Sequence, residues 1–499
     1  MPFKPRTDLA PMTVDYENEP LIRATGFREY DARWMFGPDL NLVGVQALGL
    51  GLGTYLAERG ERRVVVGHDF RSYSLSIKQS LILGLVSAGC EVLDIGMAVT
   101  PMAYFAQFDL EAPCVAMVTA SHNENGWTGV KMGAGAPLTF GPDEIGRLKE
   151  IVLAGEGRVV SGGSVTKMEG LAERYVADAA TRCSLSRPIR VVCACGNGTA
   201  GAFAPEALRR MGADVVEVDC ELDWSFPNYN PNPEDHKMLS AMSKALKQHG
   251  AELAFGFDGD GDRCGVVDDE GEEIFADKIG LILARDLAPR YPNARFVVDV
   301  KSTGLFITDP VLKAAGASTV YWKTGHSYIK RKTAEIGALA GFEKSGHLFF
   351  NAPLGRGYDD GLVAAAAILS VLDRNPDKKL SDLKKSLPMA YTSLTMSPHC
   401  ADERKYDVVA RIVKAYEALG AAGGEILGRK ITDVNTVNGA RVTLEDASWV
   451  LVRASSNKPE IVVVVESTRS EDDMRALFRD EVKPRLAKEP DVGAYNQEI

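Results

Sequence analysis

The stretch VTASHNENGWTGVKM, residues 118–132, is where the reading of this chain begins. It follows the apolar run Cys114 to Val118, short enough for a buried strand, and its polar cluster of Ser121, His122, Asn123, Asn125 and Lys131 starts where that run stops. A hydroxyl at the carboxyl end of a strand stands where open α/β sheets carry out chemistry. No GxSxG surrounds Ser121, and side chains adjacent in sequence tend to diverge, so the Ser-His pair is not read as acyl-transfer machinery. Taken alone, the stretch reads equally well as a polar loop capping a strand.

Working outward, one unit recurs three times. Residues 64–66 are followed by GHDFRSYS, a helical stretch ending at Ala88-Gly89, and CEVLDIG. Residues 191–195 lead into GNGTAG, a helix ending at Met211-Gly212, and ADVVEVD; residues 296–300 lead into KSTG, a helix ending at Ala315-Gly316, and ASTVYWKTG. Strand, Gly or Ser loop, helix, Gly stop, strand is the βαβ grammar of a mainly parallel sheet, and three copies predict three related α/β domains. In the last hundred residues, strands near 442–444, 449–453 and 461–465 with helices over 406–419 and 471–480 predict a smaller α+β domain. Composition shifts divide the chain at 1–165, 166–270, 271–385 and 386–499. The GLGLG of residues 49–53 lies inside a helical pattern without the GxGxxG spacing, so it is not a dinucleotide loop.

The length, 499 residues, accommodates about three to four domains. A net charge of -11 argues against a nucleic-acid backbone as partner while leaving room for a local basic pocket and a small anion. Eight cysteines stand at 90, 114, 183, 193, 195, 220, 264 and 400. Cys193 and Cys195 match neither a CxxC pair nor a zinc half-site, so reduced buried thiols in a cytoplasmic protein are expected. The amino terminus MPFKPRTDLAP has no apolar signal core, and the apolar runs 81–88 and 362–372 are too short to span a bilayer, so no membrane partner is expected.

The second chemical stretch is ELAFGFDGDGDRCGVV. Asp258, Asp260 and Asp262 alternate with glycines after an apolar strand, so their carboxylates can converge on one hard cation, without which they would repel. A calcium EF-hand loop needs Gly at its sixth position and Glu at its twelfth; here they are Arg263 and Asp269, and a strand precedes in place of a helix. Magnesium is the expected ion, with Arg263 able to reach a phosphate oxygen beside it. In ALAGFEKSGHLFF, the groups of Glu343, Lys344, Ser345 and His347 suit a polyol such as a sugar. In LVRASSNKPEIVVVVE, Arg453, Ser455, Ser456, Asn457 and Lys458 between two strands can hold a phosphate.

These four stretches, in this order, resemble the α-D-phosphohexomutase superfamily, within it the bacterial phosphomannomutase/phosphoglucomutase group. The family's T-x-S-H-N-P-x-x-x-N-G-x-K is matched by Thr119, Ser121, His122, Asn123 and Lys131, and D-G-D-x-D-R by residues 258–263. G-E-x-S-G-H appears with Phe342 at its lead, and FRxYDIRG as FREYDARW, with Arg28, Tyr30, Asp31 and Arg33 matching and Trp34 replacing glycine. Glu124 stands where the family has proline, and Ser456-Asn457-Lys458 departs from the phosphate loop's usual pattern. The departures bear on substrate preference more than on the reaction.

The resemblance implies four α/β domains around a central cleft, the first three related mixed or mostly parallel sheets flanked by helices and the fourth a smaller α+β domain. It implies a phosphohexomutase that interconverts hexose 1-phosphate and hexose 6-phosphate, of mannose or glucose, with Mg2+ and a hexose 1,6-bisphosphate as activator and intermediate. Ser121 would be carried as phosphoserine beside Asp258, Asp260 and Asp262. Arg33, Lys131 and Arg263 would face the transferring phosphoryl, with Lys131 and His347 as candidates for proton transfer and His122 orienting the serine loop. Glu343 and Ser345 would meet sugar hydroxyls; Arg453, Ser455, Asn457 and Tyr30 the non-reacting phosphate; Lys301 and His326, with Lys323 and Gly325, the substrate side of the third domain. The remaining expectations are sugar phosphates as partners, a monomer or weak homo-oligomer, and a cytoplasmic location. Rival readings are an N-acetylglucosamine or glucosamine phosphate mutase, a metal-dependent sugar phosphatase, and a non-enzymatic sugar-phosphate sensor, for which a broken serine or metal loop would be required.

Overall fold

The structure is a computed structural model that describes residues 4–456 and 458–499. The chain gathers into two compact bodies, one of residues 1–276 and 345–382 and the other of 277–344 and 383–499. Four domains of α/β architecture make them up, with mixed sheets flanked by helices in the first two.

The first body holds two sheets. In one, Cys114–Val118 lies parallel to Arg63–His68, which is parallel to Glu91–Met97, which is parallel to Ser164–Lys167. Trp127–Ala134 runs antiparallel on the other side of Cys114–Val118, and Ala32–Met35 antiparallel on that. The residues after the serine have the sequence of a loop, yet pairing of Val118 with Val130 and Met117 with Lys131 makes Trp127–Ala134 a full member of the sheet. The second sheet pairs Arg190–Ala194 in parallel with Asp214–Val218 and with Leu253–Phe257, then turns back antiparallel through Cys264–Val267. Central strands are buried on both faces, as helices on both sides require, and therefore read as unbroken apolar runs.

The glycine-rich segment 49–53 lies within the helix Leu42–Glu58, which packs on the helix Ser74–Ser87. The contact is backbone to backbone: a Cβ on Gly84 would come within 2.2 Å of the Gln46 carbonyl oxygen and 2.5 Å of the Leu50 nitrogen. Small residues here are a packing device, not a cofactor loop.

The second body holds Arg295–Asp299 between Ser318–Trp322 and Ala340–Phe342, all parallel, and a separate antiparallel sheet. That sheet runs Tyr391–Thr392, Ile461–Ser467, Trp449–Ala454, Ala440–Leu444, Arg429–Asn435 and Glu425–Ile426, with the helix Asp402–Ala421 sharing its core. The helix expected over 471–480 is α-helical only over Glu471–Ala476; a π turn, Leu477–Val482, carries it on to Lys483–Leu486. All eight cysteines are buried and free. Among the described residues no helix is long and apolar enough to cross a membrane.

Candidate active site

Ser121 stands just past the carboxyl end of Cys114–Val118, with φ at 52°, a left-handed conformation that costs a non-glycine residue and persists only where surroundings impose it. What imposes it is a pair of residues from the neighbouring strand's loop. Arg71 donates to the carbonyls of Ser121 at 2.8 Å and Asn123 at 2.9 Å, and to Asp69 at 3.1 Å. Asp69 accepts from Thr119 Oγ1 at 2.9 Å, from the Ala120 amide at 3.3 Å and from Ser74 Oγ at 2.5 Å. Thr119 Oγ1 in turn accepts from the Ser121 amide at 2.9 Å. Tension in the serine turn is thus held by a buried guanidinium-carboxylate pair.

The Ser121 hydroxyl donates to Asp258 Oδ2 at 2.8 Å and has His122 Nδ1 at 3.2 Å. Asp258, Asp260 and Asp262 are wholly buried and offer one oxygen each within 4.8 Å of one another. Glycine is needed between the first two: a Cβ on Gly259 would lie 2.5 Å from the Ser121 carbonyl oxygen. Serine turn and carboxylate turn therefore meet with no side chain between them.

Lys131, buried on the strand Trp127–Ala134, pairs with Asp260 at 2.8 Å and also with Asp262. Burial alone would strip this ammonium of its proton, but Asp260 and Asp262 outweigh it and hold Lys131 well above the ordinary lysine value. Burial likewise opposes ionisation of Asp260, yet Lys131, Thr100 and Arg33 bring it below the usual carboxylate range; Thr100 Oγ1 donates to it at 2.5 Å. Asp262 goes the other way, pushed up to about 7 by burial and by Asp260. Asp260 Oδ1 and Asp262 Oδ1 accept no hydrogen bond. Two buried, unsatisfied carboxylate oxygens among three converging acids are what a hard divalent cation needs, so the residues fit such an ion.

Arg263 donates from Nε to Asp258 Oδ2 at 3.0 Å and from Nη1 to the Ser345 carbonyl at 3.4 Å. An isolated bridge pairs Arg263 with His347, whose Nδ1 lies 2.9 Å from Asp359 Oδ2 and 3.6 Å from Asp262 Oδ1. Arg33, on Ala32–Met35, donates to Asn123 Oδ1 at 2.6 Å and to Asp31 at 2.9 Å. Burial, with Arg263 and Arg33 beside it, pushes His122 well below its ordinary value and keeps it neutral; the Asn230 amide donates to its carbonyl. Tyr30 is buried in the turn before Ala32–Met35.

The first body therefore brings together Ser121, His122, Arg33, Lys131, Arg263, the three aspartates, Ser345 and His347. Glu343, Lys301 and His326 belong to the second body. There Glu343 Oε1 accepts from the Gly325 amide at 2.9 Å, next to buried His326. Asp299 gathers this region: it accepts from Ser302 Oγ at 2.6 Å, Thr324 Oγ1 at 2.9 Å and the Lys344 amide at 3.2 Å, with Lys301 at 4.0 Å. Arg453 and Ser455 close the strand Trp449–Ala454, both buried; Arg453 donates to the Ala454 carbonyl at 2.8 Å, and Ser455 Oγ accepts from the Lys458 amide at 3.3 Å. Asn457 lies outside the described residues.

Asp69, Arg71, Thr100, Asp359 and Asn230 were not singled out from sequence. The first two were within reach: Asp69 follows the strand Arg63–His68 at its carboxyl end, the position that drew attention to Ser121.

The chain matches four domain families in succession: phosphoglucomutase/phosphomannomutase alpha/beta/alpha domain I over residues 24–158, domain II over 173–271, domain III over 275–391 and the C-terminal domain over 399–483. A phosphomannomutase/phosphoglucomutase of Pseudomonas aeruginosa is 33% identical over 467 residues, 93% of this chain and 96% of that protein. A phosphoglucomutase of Neisseria gonorrhoeae is 34% identical over 445 residues, covering 88% and 92%. The crystal structure of a phosphoglucomutase/phosphomannomutase family protein from Burkholderia thailandensis superposes with a TM-score of 0.84 at 30% identity, over 95% of this chain and 99% of that one. Serine turn, acidic turn and four-domain succession agree with these matches, and the chain belongs to the phosphoglucomutase/phosphomannomutase family of phosphohexomutases.

Proposed function

We propose that this protein interconverts the 1- and 6-phosphates of glucose and mannose by way of a phosphoserine at Ser121 and a hexose 1,6-bisphosphate. The observation that carries the reading is the 2.8 Å hydrogen bond from Ser121 to one of three buried, converging carboxylates. Relatives named for glucose and mannose phosphates support those sugars as substrates.

Asp258, Asp260 and Asp262 would hold magnesium, which when bound supplies positive charge to a transferring phosphoryl group. Lys131, kept protonated by its acidic neighbours, adds a fixed positive charge. It acts as a charge and not as a proton carrier, because Asp260 and Asp262 hold its proton well above the ordinary lysine value. Arg263 and Arg33 supply donors in fixed directions, anchored by Asp258 and by Asp31.

The attacking sugar hydroxyl must lose a proton. His347 is the group assigned to it: Asp359 fixes Nδ1, which leaves the basic lone pair on Nε2. On the return step Ser121 must lose its own proton, and neutral His122, with Nδ1 3.2 Å from Oγ, can take it. Glu343 and Ser345 would recognise sugar hydroxyls, Lys301 and His326 the substrate side of their domain, and Arg453, Ser455, Asn457 and Tyr30 the phosphate that is not reacting.

The test is incubation with glucose 1-phosphate or mannose 1-phosphate, magnesium and a trace of the matching 1,6-bisphosphate. Conversion to the 6-phosphate without release of inorganic phosphate is expected, and Ser121→Ala should abolish it while sugar-phosphate binding persists. Steady release of phosphate, or near-normal turnover by the alanine variant, refutes the proposal.

A further inference from the structure

We propose that Cys193, Cys195 and Cys220 form a binding site for a single soft d10 cation that is content with three sulfur ligands, monovalent copper being the type. Cys193 and Cys195 are two residues apart at the end of the strand Arg190–Ala194, so their side chains leave the same face. Their sulfurs are 3.8 Å apart. Cys220 follows the parallel neighbour Asp214–Val218, whose register sets Ala194 beside Val218. That pairing brings its sulfur to 3.6 Å from that of Cys195, and all three sulfurs lie within 4.8 Å of one another.

Thiolates bound at ~2.3 Å to one central ion stand roughly 3.8–4.0 Å from each other, and the separations of 3.8 Å and 3.6 Å from Cys195 come close to that spacing. They are too far apart for a bond between any two, which requires ~2.0 Å. The bland alternative is three thiols packed as small apolar groups. Against it stands the convergence of three sulfurs from two neighbouring strand ends, all buried and all within 4.8 Å of one another.

The donor set selects the ion. Sulfur alone favours a soft cation, and among the described residues no imidazole or carboxylate completes this trio. Zinc asks for a fourth ligand; monovalent copper does not. The cysteines are 0%, 0% and 7% exposed, which leaves water a poor fourth partner. The carboxylate triad is close by, since Gly198 donates to the Cys195 carbonyl at 2.9 Å and Thr199 to the Gly259 carbonyl at 3.2 Å. Soft and hard donors thus flank one turn, and a sulfur-seeking ion has no reason to enter the oxygen site.

Reduced full-length protein, with magnesium present and oxygen absent, is titrated with monovalent copper delivered from a competing chelator. One equivalent should bind, with sulfur-to-copper charge-transfer absorption and three sulfurs per copper by X-ray absorption. Cys195→Ser and Cys220→Ser should each weaken binding at least tenfold, and Cys90→Ser should not. The sulfur count is read on the unaltered protein, so it stands whatever the substitutions do to folding. Two or fewer sulfurs, binding indifferent to Cys195→Ser in a folded variant, no binding above the chelator's background, or zinc held more tightly with a nitrogen or oxygen ligand would each overturn the proposal.

Discussion

Asp360 caps the helix Gly361–Arg374, accepting from the amides of Leu362 at 2.8 Å and Val363 at 3.2 Å, and from Tyr175 Oη at 3.1 Å. Burial nevertheless raises its carboxyl to about 7 from the ordinary 3.8, the two amides and the tyrosine recovering only part of the lost hydration. An unfolded chain ionises at this position near pH 4, while the folded protein keeps the proton until about pH 7. Unfolding therefore releases a proton between those values, and stability falls as pH rises through them, at ~1.4 kcal/mol per pH unit from this group. The accumulated cost by pH 8 is at most about 4 kcal/mol. Asparagine caps helices as well as aspartate, keeps an oxygen for all three donors and has no charge to bury. Asp360→Asn should match the parent near pH 4 and gain on it progressively up to pH 7, then hold a constant lead. Paired urea unfolding curves at pH 4.5, 6, 7 and 8 check this. A lead that does not change with pH, or a parent that gains on the variant as pH rises, refutes the assignment.

Further outcomes follow from the two bodies separately. Arg71→Lys leaves one ammonium to serve two carbonyls and Asp69; kcat should fall about 10–100-fold with KM within about threefold, and steady-state kinetics with an unchanged kcat would contradict the role given to Arg71. Arg453→Ala should weaken sugar-phosphate binding about 10–100-fold with little change in melting temperature, read by calorimetry. Gly84→Ala forces a methyl into the Gln46 carbonyl and should cost ~2 kcal/mol or more despite alanine's better helix propensity, seen as a lower unfolding midpoint.

Strands with all their residues buried, such as Cys114–Val118 and Leu253–Phe257, announce themselves as apolar runs, and the polar turns after them carry the chemistry, so Ser121 and the aspartates were readable from sequence. Trp127–Ala134 was not: Trp127, Thr128 and Gly129 mimic a loop, and only pairing with Cys114–Val118 shows why Lys131 points where it does. The βαβ pattern indicates that residues 191–195 and ADVVEVD are parallel neighbours, but not the register that sets Ala194 beside Val218 and brings Cys220 to Cys195. Arg71 holds the serine turn through its backbone carbonyls and Asp69 holds it in part through the Ala120 amide, and a backbone group has no letter in a sequence. Long-range register and backbone groups are what pattern reading omits.

Charge accounts for why these parts occur together. Asp258, Asp260 and Asp262 would bring three negative charges into a wholly buried space, where Lys131 and Arg263 return two. The deficit of one shows in Asp262, which burial and Asp260 push up to about 7, so that it is only partly ionised at neutral pH. A divalent ion turns the surplus of negative charge into one of positive charge, and all three carboxylates can then ionise together. The Ser121 hydroxyl, 2.8 Å from Asp258, would in that state face a net positive field, which is the condition a serine-bound phosphoryl dianion requires and a free hydroxyl does not. On this account, divalent ion and phosphoserine stabilise each other: removing magnesium with a chelator should weaken retention of the phosphoryl group on Ser121 as well as stop turnover. Intact-protein mass spectrometry after chelation checks it, and a phosphoserine whose lifetime is the same with and without the ion would refute the charge balance.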